Sequence, residues 1–107
     1  MPEAKIIDLM SYAIPKKYQN CVSVDLDEFG EAVIRLDLHG FTKKEAMLVI
    51  KNILLLLRIE FTLDIIHGYT HGMVLSSYIH NELQNDRIVC KYMKPNNPGE
   101  TFLTIAA

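Results

Sequence analysis

The sequence predicts an α/β fold, a mixed sheet with two crossover helices in the order (α)ββαβαββ. Three observations lead there. Residues 22–38 alternate apolar and polar side chains about a turn, a capping box at Thr42 opens a long apolar helix, and a β-branched run at 61–66 precedes a second helix and two further strands.

The elements follow in order. Ile6, Ile7, Leu9, Met10, Ala13 and Ile14 suit one short amphipathic helix over 5–14, which Pro15 ends because the residue before proline avoids the helical region. Val22, Val24 and Leu26 alternate with Ser23, Asp25 and Asp27, which is strand periodicity. Asp27 to Gly30 reads as a turn, and Ala32 to Leu38 as the second arm of a hairpin. Thr42-Lys-Lys-Glu45 is a capping box, so the helix should run from Lys43 to about Arg58. Ala46, Ile50, Ile53 and Leu57 mark its buried stripe, while Met47, Val49, Leu54, Leu55 and Leu56 widen it, so it should be covered on two sides, either by the N-terminal segment or by another subunit. Phe61 to Ile66 is a strand ending at His67, and a glycine-bracketed loop, Gly68 to Gly72, leads to a helix from Met73 to about Asn85. Arg87 to Met93 and Thr101 to Ala106 are the last strands, and the breaker-rich segment from Lys94 to Glu100 is read as a loop. The expected core is Ile34, Leu36, Ile50, Ile53, Leu57, Ile65, Leu75, Ile79 and Leu103.

Size and charge bound the function. A chain of 107 residues, half of them hydrophobic, suits one domain that needs no metal or disulfide framework. The longest apolar run, Ile53 to Leu57, is far too short to span a membrane, and the segment from Met1 to Lys5 lacks the features of a secretory signal; a cytoplasmic protein is expected. Cys21 and Cys90, far apart with no C-x-x-C spacing, are expected as reduced thiols in or near the core. A net charge of −2 counts against charge-driven nucleic-acid coating. Residues 1–40 carry four basic and seven acidic side chains, a net of −3, and residues 41–107 seven and six, a net of +1. An anion-seeking surface therefore belongs to the second part.

Two strands that feed helices should present their carboxyl ends at one sheet edge, where ligands bind in such folds. Leu36-Asp-Leu-His-Gly40 ends one and His67-Gly-Tyr-Thr-His-Gly72 the next, so Asp37, His39 and His67 are expected to converge there. Glycine-bracketed loops that open a helix turn backbone N–H groups toward anions, which brings in Gly68, Thr70, His71 and Gly72, and Tyr69 is placed to stack on a base. Lys43 and Lys44 oppose the dipole of the helix start unless an anion binds, and Lys94 adds a third cation. A zinc site from His39, His67 and His71 lacks the usual short spacings, so no metal ligands are assigned.

The L-D-L-H-G and H-G signatures, with the closing Pro98-Gly-Glu-Thr-Phe-Leu-Thr-Ile105, resemble a Smr (small MutS-related) domain in its standalone short form, from Ile34 to Ile105. The resemblance implies a two-layer sandwich with a mixed four- or five-stranded sheet and core order βαβαββ, like the C-terminal domain of bacterial translation initiation factor 3. It divides the chain into an N-terminal extension, residues 1–31, packed on a Smr-like domain, residues 32–107. It also implies nicking endonuclease activity on DNA or RNA and carries roles onto Asp37, His39, His67, Gly68 and Gly72. Thr70 stands where the family loop has its middle glycine, and Tyr69 where a basic residue is common.

Three readings follow: a phosphodiester-cleaving nuclease or nuclease-like binder, a non-catalytic nucleic-acid or ribosome-associated module, and a protein-interaction domain that has lost activity. In the first, His39 or His67 exchanges protons with the substrate. Asp37 orients the histidine or holds a divalent cation such as Mg or Mn, the one cofactor this reading admits. DNA or RNA is the expected partner, with no membrane. A homodimer would form through the apolar first helix or the N-terminal extension.

Overall fold

Val22–Leu26 (β1) and Ala32–Asp37 (β2) pair antiparallel, Val24 opposite Ile34. Asp27 closes the turn between them, its Oδ1 accepting from the N–H groups of Phe29 at 2.8 Å and Glu31 at 2.9 Å. The structure, a computed structural model, describes residues 5–6, 8, 11–12, 14, 16–68 and 73–107; the side chains of 17–19 and 94 lie outside that description. The capping box forms as expected: Thr42 Oγ1 accepts from the Glu45 N–H at 3.2 Å and Glu45 Oε1 from the Thr42 N–H at 3.0 Å. The helix it opens, Lys43–Leu56 (α1), carries the chain over to Phe61–Ile66 (β3), which lies parallel to β2.

From β3 the chain enters Met73–Ser77 (α2), which widens into a π-helical turn at Tyr78–Glu82. Ile88–Lys94 (β4) and Asn97–Ile105 (β5) complete a sheet of order β1-β2-β3-β5-β4, in which β5 runs antiparallel to both neighbours. This is the two-layer α/β sandwich with a mixed five-stranded sheet and core order βαβαββ. Ala32, Ile34 and Leu36 from β2, Phe61, Leu63 and Ile65 from β3, and Leu103 and Ile105 from β5 point into one core with Ala46, Val49, Ile50 and Ile53 of α1. All nine expected core residues are buried. Ile6 and Ile14 belong to the same core, and Lys5, Ile6, Asp8, Ser11 and Tyr12 are helical; the rest of the expected N-terminal helix lies outside the described residues.

Several expectations are corrected. The segment from Lys94 to Glu100 is not a loop: only Pro95 and Asn96 form the turn, with Asn96 at φ 63°, and β5 already begins at Asn97. Asn97 makes this possible, its Oδ1 accepting from the Gly99 N–H at 3.1 Å and its Nδ2 donating to Glu100 at 3.0 Å. The second helix ends at Glu82 rather than Asn85, where the Lys91 ammonium donates to the carbonyls of Ile79 at 2.8 Å and Leu83 at 2.5 Å. Cys90 is exposed on β4, and only Cys21 is partly buried. Of the two covers expected over the outer side of α1, the N-terminal segment does not supply one among the described residues: Met47, Leu48, Leu55 and Leu56 are exposed.

Arg87 fastens the far end of this architecture. α1 has no basic residue in its last turn. The buried guanidinium of Arg87 supplies the donors instead, to the carbonyls of Leu54, Leu57 (2.8 Å) and Ile59 (3.0 Å), while its Nε donates to Ala106 at 2.8 Å. Replacing Arg87 with methionine keeps the bulk and strands these carbonyls. The expected loss is about 3 kcal/mol, since charged hydrogen bonds contribute roughly 1.5–3 each and partial rehydration offsets part of the sum; urea denaturation measures it.

Candidate functional site

β2 and β3 end level, Asp37 opposite Ile66, and one further bond from the Leu38 N–H to the Ile66 carbonyl at 2.8 Å carries the pairing past both strands. Beyond it the chain turns at once. The Phe41 N–H donates to the Leu38 carbonyl at 3.0 Å, and Gly40 sits at φ 81°, the left-handed conformation that the third residue of such a turn requires. His39 therefore stands at the corner of a tight turn, exposed to solvent. Its Nδ1 contacts Asp37 Oδ1, which also accepts from the His39 N–H at 3.3 Å. An Nδ1–H donated to the carboxylate leaves Nε2 as the basic nitrogen facing water.

On the neighbouring strand end, Gly68 lies beside this turn: a Cβ there would stand 3.6 Å from the His39 Cβ, and its φ of 77° disfavours any other residue. The N–H groups of His67 and Gly68 both donate to the Gly99 carbonyl, at 2.9 and 3.0 Å. The His67 ring points the other way, into the helical layer, and is 1% exposed. Its Nδ1 donates to the Gly68 carbonyl at 2.8 Å, so Nε2 accepts from the Thr101 hydroxyl at 2.9 Å. The Thr101 oxygen in turn accepts from His80 Nε2 at 3.0 Å. Burial and the neighbouring His67 and Lys91 hold His80 below the usual histidine range.

The expected trio thus meets at one edge but divides between two faces. Asp37 and His39 form an exposed pair, and His67 is a buried ring whose hydrogen bonds go to Gly68 and Thr101 instead. Lys43 is engaged, its Nζ donating to Glu82 Oε1 at 2.6 Å, whereas Lys44 is exposed. Tyr69, Thr70, His71, Gly72 and the Lys94 side chain lie outside the described residues. No group of three or more His, Cys, Asp or Glu side chains suited to a metal ion occurs among the described residues. Sequence reasoning missed His80 altogether. Thr101 and Gly99 were visible only as a closing G-x-T pattern; the structure gives that pattern its work, holding His67 and Gly68 in place.

A second group lies on the sheet face that carries Asp37. Arg35 Nε donates to Asp64 Oδ2 at 3.0 Å, and Asp64 is 1% exposed beneath it. Asp64 Oδ1 meets no donor while both it and Glu100 are ionised. Burial and a carboxyl–carboxyl hydrogen bond with Glu100 push Asp64 up to about 6, against the pull of Arg35. The folded chain therefore keeps this proton to higher pH than the unfolded chain does. The contribution to stability is complete below about pH 4 and is lost as the pH rises through about 6. The expected outcome for Asp64→Asn is a urea midpoint that gains on the wild type between about pH 4 and about pH 7. A difference independent of pH would remove the shared proton from the account.

Compared with known proteins, residues 36–101 match the Smr domain family. The Smr domain of Thermus thermophilus MutS2 is a similar solved structure, with a TM-score of 0.59 at 26% identity, over 68% of this chain and 98% of that one. No curated protein matches the chain.

Proposed function

The chain belongs to the Smr domain family, and from that premise we propose that it acts on the phosphodiester backbone of DNA or RNA, with His39 as the proton-transferring residue. Family membership supports a nucleic-acid-associated function in general. The finer reading rests chiefly on the exposed Asp37–His39 pair at the corner of the β2 turn. Asp37 fixes the ring and its tautomer and stabilises the imidazolium formed when Nε2 takes a proton from an attacking water or hydroxyl. As that oxygen bonds to phosphorus, the bond to the leaving oxygen breaks, the leaving oxygen takes up a proton from water, and the imidazolium returns its proton to solvent. His67 is the positioning residue: its ring and the Gly99 carbonyl hold Gly68 against His39. Lys44 offers charge to the backbone, with Tyr69, Thr70, His71, Gly72 and Lys94 as further proposed contacts.

The non-catalytic module has one specific observation in its favour. The Gly68 N–H and the Lys43 ammonium, two groups expected to grip phosphate, are bonded within the protein. The membrane is not implicated by any described helix, none being long and apolar enough to cross one.

Supercoiled plasmid and single-stranded RNA, each with and without chelator, separate these readings. His39→Ala is expected to lower nicking by about 10²–10⁴-fold while leaving binding in place. Binding with no cleavage by the wild type would point to the module. Glu82→Gln is expected to release Lys43, tightening binding and steepening the slope of log K against log salt by about 0.9 on duplex or about 0.7 on single strands. An unchanged slope would exclude Lys43 from the contact surface.

A further inference from the structure

We propose that the outer face of α1 is a docking groove for an acidic amphipathic helix of a partner protein. Met47, Leu48 and Leu55 are 42%, 48% and 58% exposed there, and the groove beside them, about 930 Å³, is floored by Leu54, Tyr78 and Leu83. Lys44, Leu48, Lys51 and Leu55 follow one another at spacings of four, three and four along α1, so leucines and lysines share one seam, each repeating after seven residues. That pattern accepts a helix whose apolar side chains recur at i, i+3 or i+4 and i+7.

Charge decides which helix. Two acidic residues line the groove, and both are engaged: Glu45 in the capping box and Glu82 with Lys43. Among the described residues neither Lys44 nor Lys51 pairs with an acid, so the seam offers positive charge on a chain whose net charge is −2. A helix with glutamates flanking its apolar stripe satisfies both features. A second copy laid seam to seam brings the same lysines and no acid to meet them. Nucleic acid would meet the lysines but leave the leucines in water. The groove is lined by neither Asp37 nor His39, Lys44 is the one residue it shares with the proposed nucleic-acid contacts, and the proposal does not depend on cleavage.

The test uses the full chain and three synthetic helical peptides that share leucines at positions one, four, five and eight and differ only in flanking residues: glutamate, glutamine or lysine. Fluorescence anisotropy is expected to rank them in that order, the glutamate peptide about tenfold tighter than the glutamine one, as two exposed ion pairs allow. Lys51→Glu should narrow or reverse the ranking. Leu55→Glu should weaken binding at least tenfold, with Leu55→Ser as the gentler variant and circular dichroism to confirm that both fold. Equal affinity for the three peptides, or no binding to any, overturns the proposal. So does a dimer in sedimentation that Leu55→Glu dissolves, which would give the groove to a second copy.

Discussion

Strands that run side by side in the same direction must be joined by a chain that returns over the sheet, and here that requirement falls on β2 and β3. α1 makes the return, and its apolar stripe is the other half of the core that β2 and β3 begin. With the strands locked at equal height, the turn after Asp37 and the chain after Ile66 leave the sheet side by side. A slip of one residue in β2 would turn His39 toward the core, and one in β3 would turn His67 toward water. The site's geometry is therefore a consequence of register, maintained by Ile34, Leu36, Leu63 and Ile65 well away from it.

The same alternation divides labour between the two histidines. His39 shares a face with Asp37, whereas His67 falls on the face of Leu63 and Ile65 and has to be satisfied within the helical layer. Thr101 does this, with a hydroxyl that donates to one ring and accepts from another. The π-helical turn brings His80 to that hydroxyl, and Lys91 takes up carbonyls the widened turn leaves over. A hydrogen-bonded chain of His67, Thr101 and His80 stiffens the backbone beneath the exposed pair.

What the sequence disclosed was local. The capping box at Thr42, the Asp27 turn, the alternation in β2 and the β-branched run of β3 are written within a few residues, and each forms as read. Residues 94–100 misled because proline, asparagine and glycine usually break a strand, whereas Asn97 bonds the backbone of its own strand and lets the ladder start early. Residues 29 apart make the Arg35–Asp64 pair, and 39 separate Lys43 from Glu82. No periodicity encodes such meetings, which exist only once the strands and helices are packed. The site was legible as a place and as a list of residue types; which face each ring would occupy was implicit in strand phase, and the partners of His67 were not.

Arg87 carries a consequence for the order in which the chain takes shape. The carbonyls that finish α1 wait for a side chain 33 residues beyond Leu54, and that side chain is itself tied to Ala106 near the other end of the sequence. Closing so long a loop has an entropy cost that only the assembled sheet offsets. The last turn of α1 is therefore expected to stay frayed until β4 and β5 have formed, and its amides to open to exchange together with those strands rather than by local unwinding. The helix that positions the site thus shares one cooperative unit with the far edge of the sheet.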